Sequence, residues 1–235
     1  MELISDMANH KTAEEAKKEY IACMGEDLGK VFHALWQEMA WLHMKWGEYV
    51  ELFGEKPSRI ELMNRAAPRF FRIVQDLLWE QTILHIARLT DPSSTAGKDN
   101  LTIQRLPELI EDTELVAKLS ELIKVAIQST EFCRDWRNRR IAHRDLHLAV
   151  KDGINPLKPA SRKMVKEALI TLVNVLNAVT LHYQKSESFF EGCYGCDGAE
   201  SLLYVIDDGL RADEERKKRT QRGEYNKEDL KARAI

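Results

Sequence analysis

Five arginines and one histidine fall within the eleven residues Arg134–Arg144: Arg134, Arg137, Arg139, Arg140 and Arg144, with His143 among them. A guanidinium is a permanently charged planar fork that matches phosphoryl oxygens, and an imidazole exchanges protons near neutral pH. Together they are what phosphodiester cleavage in RNA requires. Asn138 adds a donor and an acceptor suited to holding a histidine tautomer or a phosphate oxygen, and Asp145 stands where it can neutralise an arginine. A second reading stays open. In it His143 caps carbonyls at a helix C-terminus, and the arginines form surface pairs with Asp135, Asp145 and neighbouring helices.

The element that must carry this segment is a long helix. From a cap at Thr113, the residues Leu115, Leu119, Leu122, Ala126, Ser129, Cys133, Trp136, Arg140 and His143 follow alternating steps of four and three, the spacing of one helix face. That pattern predicts a continuous helix with His143 on its apolar stripe. On an ideal wheel Arg139 and Arg140 fall about 40° and 60° from His143, and Arg137 about 120° away. Arg140 is therefore the nearest charged neighbour by geometry, and charged ends of a buried stripe point to a pocket or subunit interface.

The rest of the chain is read as helices too, because apolar residues recur at three and four and strand signals are almost absent. A first helix starts after Thr12, with Glu15 three residues on and a hitch at Gly25 and Gly29, and runs toward Gly54. Pro57 and Ser58 restart the chain. Pro68 opens a second long helix that Asp91-Pro92 stops, Ser93 to Asn100 forms a polar connection, and Pro107 starts a short helix. Ser161 opens a fourth long helix to about Tyr183, and a fifth follows from about Ala199. The expected fold class is all-α, an up-and-down bundle of four to five long helices over residues 1–210, with a charged tail at 211–235. That tail is read as a solvated helix end followed by disorder.

Composition narrows the function. A chain of 235 residues, 44% hydrophobic and 31% charged, is long enough to bury its own core. Its 35 basic and 38 acidic side chains give a net charge of −3, so any binding of nucleic acid must come from a local patch. The four cysteines are too few for a disulfide framework, Met1 to Asp6 lacks a signal-peptide pattern, and the apolar window Ala168–Leu181 is interrupted by Asn174 and Asn177. The expectation is a cytoplasmic protein with no membrane span.

Other candidate sites are weaker. Cys193-Tyr-Gly-Cys196 has zinc or redox spacing but no second ligand pair, so a free-thiol loop is favoured over a site shared across a two-fold axis. His85, with Glu80 and Arg88 on the second long helix, reads as a hydrogen-bonded bundle histidine. His33 and His43 sit among Trp36, Trp41 and Trp46 as amphipathic packing. No Glu-x-x-His, zincin pair, phosphate-binding glycine loop or nucleophile elbow occurs, and neither a metal nor a cofactor is expected.

Arg137, Asn138 and His143 resemble the signature of the HEPN superfamily, an arginine, often a polar residue after it, and a histidine four to six residues beyond; here five residues separate Arg137 from His143. The text around them resembles the abortive-infection AbiU-like branch, with Ile83 to Pro92 closing one long helix and Arg140 to Asp145 closing the next; the likeness covers roughly Leu28 to Leu210. The resemblance implies a helical bundle that pairs as a homodimer and brings two arginine and histidine sets into one cleft. It further implies metal-independent RNA cleavage: His143 moves protons at the 2′-hydroxyl or the leaving oxygen, Arg137 holds the phosphorane, and Asn138 orients histidine or phosphate. Arg134, Arg139, Arg140 and Arg144 are then the RNA-binding residues. Members controlled by adenylylation carry a tyrosine two residues after the histidine, where this chain has Asp145, so that form of antitoxin control is unsupported, although an antitoxin or other regulator remains among the expected partners. Many HEPN proteins are non-catalytic scaffolds. The rival expectation is a helical module that binds RNA, a nucleotide or a partner protein through the arginine cluster.

Overall fold

The computed structural model describes residues 11–54, 56–150, 155–190 and 197–231. Nine α-helices are defined among them: α1 (Ala13–Met24), α2 (Glu26–Phe53), α3 (Pro57–Ala66), α4 (Pro68–Leu89), α5 (Thr113–Ser129), α6 (Glu131–Trp136), α7 (Leu146–Val150), α8 (Arg162–Gln184) and α9 (Ala199–Gln221). The fold is all-α. The only described strands, β1 (Ser94–Thr95) and β2 (Lys98–Asp99), form a minimal antiparallel hairpin in the polar connection. Its turn is closed by Ala96 and Gly97, both at positive φ.

The chain folds into two compact units, one of Met1–Lys45 with Glu80–Glu191, the other of Trp46–Trp79 with Gly192–Ile235. In the first unit the expected N-terminal helix is two helices. Thr12 and Glu15 form a reciprocal capping box at the start of α1, and Gly25, at φ +85°, ends it where a side chain would be strained. Gly29 lies within α2, and a Cβ there would stand 2.6 Å from the Ile21 backbone, so a glycine lets α1 and α2 approach. Leu28, Phe32, Leu35, Met39 and Leu42 then bury one face of α2 at steps of four and three.

Asp112, one residue before the cap expected at Thr113, accepts the Leu115 N–H at 2.7 Å and starts α5. The buried face of α5, Leu115, Leu119, Ile123 and Ala126, packs on α8, whose own buried residues include Leu169, Leu172, Val175, Leu176 and Val179. Among the described residues α8 alone has the length and apolarity of a membrane span, but half of that stretch is buried inside the protein, as a core helix requires. Ser161 caps α8 at its Met164 N–H, as its sequence position suggests.

The second unit centres on Leu52, Met63, Phe71, Ala199 and Leu203. Here α3 packs on α9, and the Glu48 carboxylate accepts the Ala199 N–H at 2.6 Å at the start of α9. Through the charged stretch α9 continues to Gln221, tied back by Arg65 to Glu214 at 2.5 Å.

Candidate functional site

The helix expected to run unbroken into the arginine segment is interrupted twice, and this corrects the wheel drawn from the sequence. Thr130 returns its hydroxyl to the Ala126 carbonyl at 2.8 Å, competing with the helical ladder, and α5 ends there. After the short α6 comes a π-helical turn, Arg137–Ile141, in which the Ala142 N–H reaches back five residues to the Arg137 carbonyl at 2.8 Å. The extra residue rotates everything after it. His143 lies in the bend that follows and is exposed, so it is not on a buried stripe.

The turn fans the arginines toward different partners. Arg137 Nη1 lies 2.5 Å from the Asp91 carboxylate beyond the C-terminus of α4, and its Nε donates to Asn138 Oδ1 at 3.0 Å. Asp91 and Asn138 thus clamp the guanidinium from two sides, with only 23% of the Arg137 side chain exposed. Arg134 Nη2 donates to the Thr90 carbonyl at 2.9 Å, satisfying the end of α4. Arg139 is drawn inward, toward Asp135 at 3.4 Å, Asp145 at 3.6 Å and the carbonyls of Asn155 and Pro156. Arg140 Nε donates to Glu80 at 3.1 Å while its guanidinium lies 5.3 Å from the centroid of the Trp136 ring.

Arg144 and His143 are exposed and make no hydrogen bond or ion pair with other described residues. Asp145, two residues past the histidine, accepts the Leu148 N–H at 2.9 Å and caps α7. That N–H, reinforced by Arg139 and His147, holds its carboxyl below the usual range. Arg139, Arg140, Arg144 and Asp145 line a recess of about 250 Å³ with Leu148, Ala149 and Leu157. The structure therefore brings Arg137 and Asn138 into contact, sets His143 on the same loop without a side-chain link to either, and commits Arg134 and Arg139 to the fold. Asp91 and Glu80 partner arginines 46 and 60 residues away, and nothing in a single sequence signals such pairs.

A second cavity of about 400 Å³ opens beside this segment, lined by Glu38, His85, Arg88, Leu89, Asp91, Asn100 and Leu101. His85, 2% exposed, meets Lys45 Nζ at 2.8 Å through Nδ1. Its Nε2 stands 2.7 Å from Glu38 Oε2 but off the line of the ring N–H, leaving that nitrogen without a hydrogen bond among the described residues. Burial, with Lys45 and Arg88 adding repulsion, pushes the His85 pKa down to about 3. An unfolded histidine titrates near 6.5, so between these values the unfolded chain binds the extra proton and stability falls as pH falls, whereas above about 6.5 this group contributes no pH dependence. Unfolding free energy from pH 6.5 down to 4 is expected to drop by up to about 1.4 kcal/mol per pH unit more in the wild type than in His85→Gln. Parallel profiles in urea titrations would contradict this.

Among the described residues no three His, Cys, Asp or Glu side chains are grouped to hold a metal ion; Cys193 and Cys196 lie outside the described residues. Cys133 is buried, which raises its thiol pKa far above the ordinary value and keeps it protonated.

No curated protein and no solved structure matches the chain. The family model described as AbiU2, a HEPN family, matches residues 25–191, and the chain belongs to that family.

Proposed function

We propose that this protein is a metal-independent endoribonuclease of phage defence by abortive infection, acting at Arg137, Asn138 and His143 in a homodimer. The observation that carries the reading is the clamped Arg137 guanidinium six residues before an exposed, uncommitted His143. In this scheme His143 moves protons at the 2′-hydroxyl and the leaving 5′-oxygen. The 2′-oxygen attacks phosphorus, the P–O5′ bond breaks, and the products are a 2′,3′-cyclic phosphate and a 5′-hydroxyl. Arg137 stabilises the phosphorane, held by Asn138, while Arg140 and Arg144 at the neighbouring recess take flanking phosphates. A second copy of the chain is the proposed cover for Phe70, Ile73 and Leu77, which expose more than half their surface along one side of α4.

The rival reading, a non-catalytic module, draws support from the acidic partners of Arg137, Arg139 and Arg140, since paired guanidinium groups also serve a purely structural end. Purified protein incubated with cellular RNA in excess EDTA separates them. The nuclease reading expects fragments in proportion to protein concentration and a dimer by light scattering; intact RNA at every concentration favours the module.

A further inference from the structure

The cavity beside the arginine segment is lined by two groups with no role in the scheme above, the His85 imidazole and the Glu38 carboxylate. Lys45 carries only donors, so at its 2.8 Å contact with His85 the Nδ1 must accept, which fixes the proton on Nε2. An N–H donor is thereby held at a buried site, unmatched among the described residues, beside the partly exposed Glu38 carboxylate 2.7 Å away. Arg88, one turn on from His85, is exposed at the same cavity with no ion pair among the described residues. Asn100 is fixed as part of the wall, since its amide nitrogen donates to the Pro92 carbonyl and the Thr95 hydroxyl. Asp91 belongs both to this wall and to the clamp on Arg137.

We propose that this cavity is a pocket for a guanine base splayed out of single-stranded RNA: the half-exposed Glu38 side chain turns outward, uncovering the buried His85 Nε2–H, which donates to O6 while the Glu38 carboxylate accepts from N1–H and the N2 amino group. Every base presents an acceptor next to a donor on its Watson–Crick edge, but only guanine offers two adjacent N–H groups beside a carbonyl, using both carboxylate oxygens and the histidine together. The cavity, about 400 Å³, has room for a base and part of its sugar. The Arg88 guanidinium provides a plane at the rim for stacking, and Trp41, one turn from Glu38 on α2 and 60% exposed, provides an aromatic face for a neighbouring base. The pocket deepens the nuclease reading by naming the base that directs RNA to Arg137 and His143, and it rests on that reading for the identity of its ligand.

Binding of 2′-O-methylated heptanucleotides, which cannot be cleaved through the 2′-oxygen, tests the pocket separately from catalysis. Adenosine heptamers with a central G, A, C, U or inosine are compared by fluorescence anisotropy at one salt concentration. The central-G heptamer is expected to bind wild-type protein at least tenfold more tightly than the all-A heptamer, and inosine, lacking the N2 amino group, several-fold less tightly than G. Glu38→Gln should reduce the preference for G over A, read as the ratio of the two affinities, to less than about twofold with the circular dichroism spectrum unchanged. Equal binding of the G and A heptamers, no measurable binding of the G heptamer, or a preference retained by Glu38→Gln would overturn the proposal. Displacement of the G heptamer by an equimolar amount of guanosine monophosphate would overturn RNA as the source of the base. RNA cleavage by wild type and His143→Ala is scored independently, so a silent nuclease leaves the binding result readable.

Discussion

His143→Ala is expected to lower the rate of RNA cleavage by about 10²–10⁴-fold, the range for loss of a proton-transfer group, with no comparable loss of stability. The second half of the expectation follows from position. His143 is exposed in the bend after the π-helical turn and makes no hydrogen bond with other described residues, so truncation should change unfolding free energy by no more than about 0.5 kcal/mol. Cleavage kinetics and urea unfolding on the same preparations check both halves. A variant that folds normally and cuts at the wild-type rate removes His143 from the site.

Arg137→Ala should reduce cleavage by about 10²–10³-fold and, unlike the histidine change, also destabilise the fold. Its partner Asp91 is only 19% exposed, and removing the guanidinium leaves that carboxylate poorly solvated. A cost of about 1–3 kcal/mol is expected, between the values for exposed and buried pairs. Arg137→Lys should restore charge but little activity, because an ammonium cannot keep the contacts to Asp91 and Asn138 and face a phosphate at once. Asp91→Asn separates positioning from chemistry: kcat should fall about tenfold with KM nearly unchanged. The double variant Asp91→Asn with Arg137→Ala should regain part of the lost stability and none of the activity. Stability and activity recovering together would make the pair structural alone.

Much of this arrangement was legible in the sequence, for identifiable reasons. Helix starts at Thr12, Pro68 and Ser161 are local events of capping and proline chemistry, and all three mark described helices, whereas the short segment after Pro57 is itself the helix α3. Most of the α5 stripe is legible because it depends only on spacing: Leu115, Leu119 and Ala126 are buried as expected, with Ile123 rather than Leu122 filling the turn between. Cys133 is still buried as the stripe expects, but past it the pattern fails: a hydroxyl that folds back on its own helix and a turn with one extra residue leave no mark on the order of apolar residues. The wheel therefore favoured Arg140 as the neighbour of His143 and set Arg137 aside, whereas the structure fixes Arg137 with Asp91 and turns Arg140 to Glu80 and Trp136. Asp91 and Glu80 come from α4 and its C-terminal end, and such long-range pairing becomes visible only when the chain is folded. Spacing on the second long helix makes His85 a hydrogen-bonded bundle histidine. It is buried against Lys45 as that reading expects, yet its other nitrogen is left beside Glu38 at a cavity, which residue spacing alone does not reveal.

The most direct test of the central claim is the chemistry of the RNA ends left by wild-type protein in excess EDTA, with His143→Ala run in parallel. Attack by the ribose 2′-oxygen predicts 2′,3′-cyclic phosphate and 5′-hydroxyl termini from the wild type and neither from the variant. Termini bearing 3′-hydroxyl and 5′-phosphate groups, the signature of attack by water, or the same cyclic ends in equal yield from both proteins, would contradict the assignment of Arg137 and His143 as an RNA-cleaving pair.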